Sequence, residues 1–194
     1  MEKLIFATNN KHKLTEVKKM LNGMYEVLGL EEAGIFEEIP ENEPTLEGNA
    51  KIKAYFVHKK LKTNVFADDT GLEIEALNNE PGVFSARYAG PGRDSMDNMN
   101  KVLEKMKGKT MRAAQFRTSI CLILNNNEKM FEGIVKGEIL NTPIGKTGFG
   151  YDPIFEPQGY SISFAQMEMD EKNRISHRGR AVSKLIQFLK TQTK

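Results

Sequence analysis

The sequence predicts an α/β fold in which helices flank a mixed β-sheet. Early in the chain, short apolar runs typical of strands alternate with stretches whose apolar residues recur at helical spacing. Later, two long β-rich runs are separated by the segment NNNEK, and an Asn-rich turn between such runs favours a hairpin. Strands connected through helices, combined with a hairpin, predict a sheet with both parallel and antiparallel pairs.

The predicted elements follow one another without a repeat or a flexible linker, so we expect a single domain over residues 1–194. The predicted strands are Lys3–Ala7, Tyr25–Leu28, Asn64–Ala67, Leu72–Leu77, Ala113–Leu124 and Met130–Leu140. The predicted helices are Lys11–Leu21, Thr45–Leu61, a helix capped by Asp94 or Ser95 that ends near Met106, and Ser176–Thr191.

Composition excludes several classes of protein. Lys and Arg total 28 against 26 Asp and Glu, a balance that gives no general attraction for nucleic acid. The chain has no apolar run long enough to span a bilayer, and its first residues lack the features of a signal peptide. We therefore expect a cytoplasmic protein without nucleic-acid or membrane partners. The single cysteine, Cys121, lies in the apolar run ICLIL and is interpreted as a buried small hydrophobe.

The first candidate site is the turn between the first predicted strand and helix. It comprises Thr8, Asn9, Asn10, Lys11, His12 and Lys13. Backbone N–H groups at a helix start, together with a hydroxyl, an amide and an ammonium group, are good phosphate ligands. In the alternative interpretation, Thr8 or Asn10 only caps the helix and the lysines are solvated.

The second candidate is Asp68-Asp69, which the sequence places at the carboxyl end of a predicted strand. Ligand sites in α/β sheets cluster at such ends, and paired carboxylates suit a divalent cation. Glu41, Glu43 and Glu47 of the preceding acidic loop are candidate further ligands. Alternatively, the two aspartates are exposed acids in a turn.

The third candidate is the Gly-rich segment GKTGFGYDP. It is not a P-loop, because Leu140 stands where the first glycine of that motif belongs and no helix pattern follows. Phe149 and Tyr151 offer aromatic faces for a base, and Asp152 offers a carboxylate for a ring N–H or a sugar hydroxyl. The alternative is a β-turn whose aromatic side chains belong to the core.

The fourth candidate is the basic segment Lys172–Arg180 at the start of the last predicted helix. Cations in a first helical turn oppose the helix dipole, so their presence favours an anion at that end. A solvated basic face is the alternative. The four candidates together supply separated cations, a cation site and an aromatic loop without a covalent nucleophile, as metal-assisted hydrolysis of a nucleotide polyphosphate requires.

The sequence resembles the inosine triphosphate pyrophosphatase (HAM1-like) family. The matching motifs are T-x-N-x-x-K at Thr8–Lys13, E…T…NA…KA from Glu41 to Ala54, ADDTGL at Ala67–Leu72, PGVFSARYAG at Pro81–Gly90, GFGYDPIF at Gly148–Phe155 and EKNRISHRG at Glu171–Gly179. The resemblance implies Mg²⁺-dependent hydrolysis of ITP, dITP, XTP or dXTP to the nucleoside monophosphate and pyrophosphate. It also implies an elongated fold with two lobes around a nucleotide-binding cleft, and a homodimer.

By position, the resemblance also implies residue roles. Thr8, Asn9, Asn10, Lys11, His12 and Lys13 would surround the triphosphate, with Lys53 and Lys172 as further contacts. Glu41 and Asp69 would hold magnesium with Asp68 in support, and Asp69 would activate water. Thr70 would contact the nucleotide, Phe149, Gly150, Tyr151 and Asp152 would hold the base, and His177 and Arg178 would read its purine edge.

Two positions depart from the family pattern. Thr70 stands where many relatives have Ser, and it keeps the hydroxyl group. Gly48 stands where many have Glu, so this position supplies no carboxylate and Glu47 is the possible substitute.

Base selectivity is expected at the purine 6-position. Arg178, a fixed donor, can satisfy the carbonyl of hypoxanthine or xanthine, whereas the adenine amino group would leave a buried donor facing a donor, at a cost of about 1–3 kcal/mol.

Three rival functions remain. The chain could clean modified pyrimidine nucleotides, bind nucleotides as a sensor without turnover, or bind single-stranded nucleic acid. Base competition, binding without product, and salt-dependent oligonucleotide affinity would identify them respectively.

Overall fold

The computed structural model describes residues 2–192, so residue 1 and residues 193–194 of the predicted domain lie outside the described part. The strands are β1 Glu2–Phe6, β2 Tyr25–Leu28, β3 Val65–Ile74, β4 Glu80–Gly82, β5 Ala113–Leu124, β6 Asn127–Ile139 and β7 Phe155–Pro157. The helices are α1 Lys11–Met20, α2 Leu46–Leu61, α3 Ser95–Met106, α4 Met169–Ile175 and α5 His177–Gln192.

The strands form one mixed sheet in the order β2-β1-β3-β5-β6-β7, with β4 also paired to β3. β1 is parallel to β2 and to β3, whereas β4 pairs antiparallel with β3 and β7 pairs antiparallel with β6. The predicted α/β fold with a mixed sheet is therefore confirmed. Among the helices of residues 2–192, none combines the length and apolar character that a membrane span requires.

The chain divides into two compact units. Within the described residues, unit 1 comprises 2–69, 118–133 and 178–192, and unit 2 comprises 70–117 and 134–177. The three long strands β3, β5 and β6 contribute residues to both units.

Unit 1 has helices on both faces of its part of the sheet, as strand alternation shows. One apolar cluster joins α1 and α5 to one face and includes Leu4, Phe6, Val17, Phe66, Ile120, Leu122, Val182 and Leu185. The other joins α2 to the opposite face and includes Ile5, Ala50, Ala54, Val57, Val65, Ala67, Cys121 and Ile123. Successive strand residues thus enter different cores, because their side chains point to opposite faces.

Unit 2 buries one face of its part of the sheet. Its apolar cluster includes Leu72, Ile74, Phe116, Val135, Ile139 and Phe155 together with Met99, Val102 and Met106 of α3. The alternate positions are polar: Arg117 Nε donates to Glu73 Oε1 at 3.0 Å, and Gln115 Nε2 donates to Glu73 Oε2 at 2.7 Å. This apolar-in, polar-out pattern is typical of a sheet with one solvated face.

Three helices begin at polar residues whose side chains accept backbone N–H groups. Asn10 accepts from Lys13 N, Thr45 accepts from Gly48 N, and Asp94 accepts from Met96 N and Asp97 N. These bonds satisfy donors that have no partner inside the helix. Asn10, rather than Thr8, thus caps α1 as the alternative interpretation held, and Asp94, rather than Ser95, caps α3.

The prediction that Asp68 and Asp69 end a strand is wrong. The two strands expected at Asn64–Ala67 and Leu72–Leu77 are one strand, β3, and both aspartates lie in its middle. Residues Glu75–Leu77 form a short 3₁₀ turn instead. The strand continues past its acids because both are buried against side chains of the helices. Gly71 also lets the chain pass close to β4, since a Cβ there would lie 2.7 Å from the Gly82 carbonyl oxygen.

The predicted hairpin is confirmed, with a tighter turn than NNNEK. Asn125 and Asn126 connect β5 to β6, and both have positive φ angles, 51° and 66°. A two-residue turn with this geometry is the type I′ turn that joins antiparallel strands. β6 therefore begins at Asn127 rather than at Met130.

The last helix begins at His177, close to the expected Ser176, but the sequence did not predict α4 before it. Ser176 separates the two helices. The predicted basic segment is consequently divided, with Lys172 and Arg174 in α4 and Arg178 and Arg180 in α5.

Candidate functional site

Asp68 and Asp69 reach opposite faces of the sheet in unit 1 and enter different ionic clusters. The Asp68 cluster is made of Lys13 and Glu16 from α1, Asp68 from β3 and Arg178 from α5. The Asp69 cluster is made of Glu41 from the acidic loop, Asn49 and Lys53 from α2, and Asp69 from β3. Successive side chains of a strand point to opposite faces of the sheet, which places the two aspartates in different clusters. The same alternation places neighbouring apolar residues of the strands in different apolar clusters.

In the Asp68 cluster, two cations meet two carboxylates. Lys13 Nζ lies 3.0 Å from Asp68 Oδ1, and Arg178 Nε lies 3.1 Å from Asp68 Oδ2. Arg178 Nη1 donates to Glu16 Oε2 at 2.8 Å. The side chains of Glu16, Asp68 and Arg178 are each at most 7% exposed. Within these four residues the formal charges balance.

The electrostatics favour an ionised Asp68. Burial alone would raise the pKa of Asp68, but Lys13 and Arg178 outweigh burial and hold that pKa well below its usual range. Burial lowers the pKa of Arg178, yet Glu16 and Asp68 together leave it raised. For Lys13, burial and the neighbouring Arg178 and Lys53 outweigh Asp68 and lower the pKa. The charged form of Asp68 is stabilised more than the charged form of Lys13. Asp68 has two close cations, whereas Lys13 shares the Asp68 carboxylate with Arg178.

In the Asp69 cluster, two carboxylates share one cation. Lys53 Nζ lies 2.5 Å from Glu41 Oε1 and 3.7 Å from Asp69 Oδ1. Asn49 Nδ2 donates to Asp69 Oδ2 at 3.0 Å. Burial raises the pKa of Asp69 and Glu41 adds to the rise, against the opposing effects of Lys53 and Lys13. Burial lowers the pKa of Lys53, but Asp69 and Glu41 outweigh it and the pKa is raised.

The Asp69 cluster fits a divalent cation. Glu41 and Asp69 converge on one positive group, Lys53, and burial raises the pKa of Asp69. Mg²⁺ commonly takes one or two carboxylates and completes its shell with water and phosphate oxygens. Within residues 2–192, no group of three or more His, Cys, Asp or Glu side chains is arranged to hold a metal. Asp68 belongs to the other cluster.

Gly48, the departure noted above, lies where the acidic loop meets α2. A Cβ at this position would lie 2.6 Å from Glu43 Cβ and 2.8 Å from Glu43 Cγ. The absence of a side chain at Gly48 therefore lets the loop approach the helix closely.

The turn from Thr8 to Lys13 is compact and mostly exposed. Asn10 N donates to Thr8 Oγ1 at 3.1 Å, and Asn10 Oδ1 accepts from Lys13 N at 3.1 Å. The exposed side chains are Asn9, Asn10, Lys11 and His12. The side chain of Lys13, in contrast, points into the protein, where its Nζ donates to Asp68 Oδ1.

In unit 2, Asp152 organises the aromatic loop. Asp152 Oδ2 accepts from Phe149 N at 2.8 Å and from Lys172 Nζ at 2.7 Å. Lys172 Nζ also lies 4.7 Å from the centroid of the half-buried Phe149 ring, a cation–π distance. The structure therefore brings together Phe149, Asp152 and Lys172, although Lys172 is distant from them in sequence.

Tyr151 is a core residue, as the alternative interpretation held. Its ring is buried, and its hydroxyl donates to the Ser85 carbonyl oxygen at 2.7 Å. Burial raises the pKa of Tyr151 well above its usual range. Thr70 is partly buried, and Gly150 has a positive φ of 63°.

His177 and Arg178 begin α5 but have different neighbours. The His177 ring in unit 2 is buried and stacks on Phe116, with centroids 4.5 Å apart and planes 17° apart. Arg178 pairs with the protein's own carboxylates, donating to Asp68 and to Glu16. Arg174 and Arg180 are exposed.

Sequence reasoning missed Glu16 and Asn49. Glu16 lies three residues after Lys13 and next to Val17 on the inner face of α1, and Asn49 lies one turn before Lys53 on the inner face of α2. A polar side chain within the apolar face of a helix is the signal that could have identified both, because a buried polar group requires a partner.

Comparisons with known proteins match the chain over nearly its full length. The model of the Ham1 family matches residues 4–188. A dITP/XTP pyrophosphatase of Flavobacterium psychrophilum is 53% identical over 96% of this chain and 98% of that protein. A dITP/XTP pyrophosphatase of Porphyromonas gingivalis is 52% identical over 97% of this chain and 98% of that protein.

Solved structures agree with this result. The Ham1 protein of Staphylococcus aureus has a TM-score of 0.89 at 38% identity, covering 99% of this chain and 100% of that one. A HAM1 protein from Coxiella burnetii has a TM-score of 0.90 at 36% identity, covering 98% of this chain and 100% of that one. The fold, the motifs and the matched length lead to one conclusion: the chain belongs to the Ham1 family.

Proposed function

We propose that this protein hydrolyses the non-standard purine nucleoside triphosphates ITP, dITP, XTP and dXTP to the nucleoside monophosphate and pyrophosphate. The substrate class is supported by relatives that are named dITP/XTP pyrophosphatase and are more than half identical over nearly the whole chain. The reaction would remove these nucleotides from the cellular pool.

The Asp69 cluster is the observation that carries the reaction type. Glu41 and Asp69 supply two converging carboxylates, and burial raises the pKa of Asp69 toward the range useful in a general base. The thiol of Cys121 is buried, and burial raises its pKa to about 12, so it is not an available nucleophile. Direct attack by water is therefore favoured over a covalent intermediate.

In this proposal, Asp69 orients a water molecule and accepts its proton as the water attacks the α-phosphorus. Pyrophosphate leaves, and Lys53 and Lys13 neutralise negative charge on the phosphates. Glu41 and Asp69 would hold Mg²⁺, and Asp68, which lies in the other cluster, would support the site only from the opposite face of β3. When bound, Mg²⁺ supplies charge neutralisation at the phosphates and makes water more acidic.

The turn from Thr8 to Lys13 is the proposed triphosphate-binding segment. It presents exposed polar side chains beside the N-terminal end of α1, where backbone N–H groups and the helix dipole favour an anion. Asn10 and Lys13 are its principal members, and Thr70 and Lys172 are proposed as further nucleotide contacts.

Base recognition is proposed for Phe149, Gly150, Tyr151 and Asp152, and for His177 and Arg178. The half-buried Phe149 ring offers a face for stacking, whereas Tyr151 supports the loop from within the core. Two carboxylates hold the Arg178 guanidinium in a fixed orientation. A fixed donor favours a 6-carbonyl purine over adenine, since the wrong partner leaves an unsatisfied group.

We further propose that residues 1–194 act as one domain, that the protein forms a homodimer, and that it is located in the cytoplasm, where its nucleotide substrates are found. Nucleic acids and membranes are not proposed as partners. Sedimentation velocity tests the dimer: a species of one chain mass at micromolar concentration would contradict it.

The first experiment incubates the protein with Mg²⁺ and ITP, XTP, GTP or ATP, and identifies the phosphate product. We expect pyrophosphate and the monophosphate from ITP and XTP, with ATP largely spared. Orthophosphate would indicate cleavage at the γ-phosphate and contradict the mechanism. Binding without turnover would indicate a sensor, and preferential cleavage of modified pyrimidine triphosphates would indicate the rival substrate class.

A further inference from the structure

We infer that Asn49 is a positioning residue that fixes the Asp69 carboxylate relative to the acidic loop. This inference rests on the proposed role of Asp69. Asn49 is fully buried, and its side chain makes two hydrogen bonds of 3.0 Å, accepting from Glu43 N and donating to Asp69 Oδ2. One amide group therefore connects the acidic loop to the strand that carries Asp69.

The orientation of the Asn49 amide is determined by its neighbours. Its oxygen faces a backbone N–H and its NH₂ group faces a carboxylate. The reverse orientation would place donor against donor and acceptor against acceptor, which is costly in a buried site. Glu43 N thus ensures that Asn49 presents a donor to Asp69.

Lys53 repeats this arrangement one helical turn later. It contacts Glu41 of the same loop and Asp69 Oδ1, whereas Asn49 contacts Asp69 Oδ2. Residues four apart lie on the same helix face, so α2 holds the two oxygens of Asp69 from two successive turns. Lys53 provides a positive charge beside the Asp69 carboxylate, whereas Asn49 is uncharged and orients that carboxylate through a hydrogen bond. Loss of Asn49 would remove the hydrogen bond to Asp69 Oδ2 while Lys53 stays in place.

The test compares Asn49→Ala with Thr45→Ala. Thr45 caps the same end of α2 through Gly48 N, so Thr45→Ala weakens that helix start without removing a bond to Asp69. For Asn49→Ala, we expect kcat for pyrophosphate release from ITP to fall about 10–100-fold, the usual effect of losing a partner that orients a metal-site ligand. KM for ITP should change less than about threefold. Thr45→Ala should lower the melting temperature with kcat within about twofold of wild type.

A second readout does not depend on turnover. Calorimetric titration with Mg²⁺ alone should show about 10–100-fold weaker binding to Asn49→Ala than to wild type or Thr45→Ala. If wild type releases no pyrophosphate from ITP, the proposed function fails, while this titration still decides the role of Asn49. Equal Mg²⁺ affinity and an unchanged kcat in Asn49→Ala would overturn the inference. So would a Thr45→Ala profile identical to that of Asn49→Ala.

A third readout needs no substitution and covers the case in which Asn49→Ala does not fold. In the wild-type protein, Mg²⁺ should shift the side-chain NH₂ resonances of Asn49, because their acceptor is a proposed metal-holding carboxylate. The side-chain NH₂ of Asn98 is the matched control, since this buried asparagine donates to the Ala86 carbonyl oxygen in unit 2. Resonances of Asn49 that stay as unchanged as those of Asn98 would overturn the inference.

Discussion

Asp68 and Asp69 are identical side chains at neighbouring positions of one strand, yet their surroundings differ in charge balance. Asp68 contacts two cations in a cluster with equal numbers of positive and negative groups, and its pKa is held well below the usual range. Asp69 shares Lys53 with Glu41, and its pKa is raised, chiefly by burial. The first arrangement pairs each charge with an opposite one, whereas the second places the carboxylate that we propose as the metal ligand and general base beside Glu41.

This difference shows that an acidic pair in a sequence does not have to act as a pair. Because strand side chains alternate, Asp68 points toward α1 and α5 and Asp69 points toward α2. The residues of those helices then determine which charged groups each carboxylate contacts. If Asp68 is mainly structural and Asp69 carries the proposed chemistry, substitutions at the two positions should have different consequences.

The largest effect is expected on the stability of Asp68→Asn. Removing one partner of a buried ion pair leaves Arg178 and Lys13 incompletely compensated, at a cost of about 3–5 kcal/mol in the free energy of unfolding. Asp69→Asn, the same substitution one residue later, should cost less, because it replaces a buried carboxylate whose pKa is already raised. Urea denaturation of both variants measures the difference, and equal losses would contradict the comparison.

The next effect concerns turnover. Asp69→Asn should lower kcat for pyrophosphate release from ITP by about 100-fold or more, because an amide cannot accept the proton of the attacking water. Asp68→Asn, measured at a temperature where it remains folded, should lose less activity. If the two variants lose activity equally, the assignment of the general base to Asp69 is wrong.

The third effect is a dependence of stability on pH. The folded pKa of Asp68 lies below its ordinary value of 3.8, so its contribution is fully present above that pH and is lost as pH falls toward the folded pKa. Asp68→Asn should therefore show a shallower loss of stability below about pH 4 than wild type. The pKa of Asp69 is raised in the folded protein, so its contribution has the opposite sign. The stability that Asp69 contributes is lost as the pH rises from 3.8 through its folded pKa.

A pH series of urea denaturation from the wild type and both variants checks these signs. An acid slope in Asp68→Asn as steep as that of wild type would show that other carboxylates dominate the acid response.

The smallest effect is expected for Glu32→Gln, whose comparison with Glu16→Gln separates burial from charge. Glu32 accepts from Lys18 of α1 at 2.7 Å, a distance close to that between Glu16 and Arg178, but the side chains of Lys18 and Glu32 are both well exposed. Glu32→Gln should therefore change the free energy of unfolding by less than about 1 kcal/mol. Glu16→Gln should cost about 3–5 kcal/mol, because its partner Arg178 is buried. Equal losses in urea denaturation would show that pair geometry matters more than solvent exposure.

Much of the fold could be predicted because its signals are local. The spacing of apolar residues located β1, β2, β5, β6 and most helices, but not the short strands β4 and β7. Asn10 and Asp94 marked helix starts through bonds to N–H groups two or three residues away. The main failure, the end of the strand at Asp68-Asp69, had a physical cause. Two aspartates looked like the end of a strand because acids are rarely buried, and only partners from distant helices make their burial possible.

The sequence by itself determined the family, the order of the elements and the residue types available for chemistry. Tertiary structure decided which carboxylate meets which cation. Arg178 bonds to Glu16, 162 residues away in the sequence, and to Asp68, 110 residues away. Neither pairing produces a periodic pattern that could be recognised in the sequence. The physical reason is that burial and charge balance depend on groups brought together by packing, whereas helix caps, turns and side-chain alternation depend on near neighbours along the backbone.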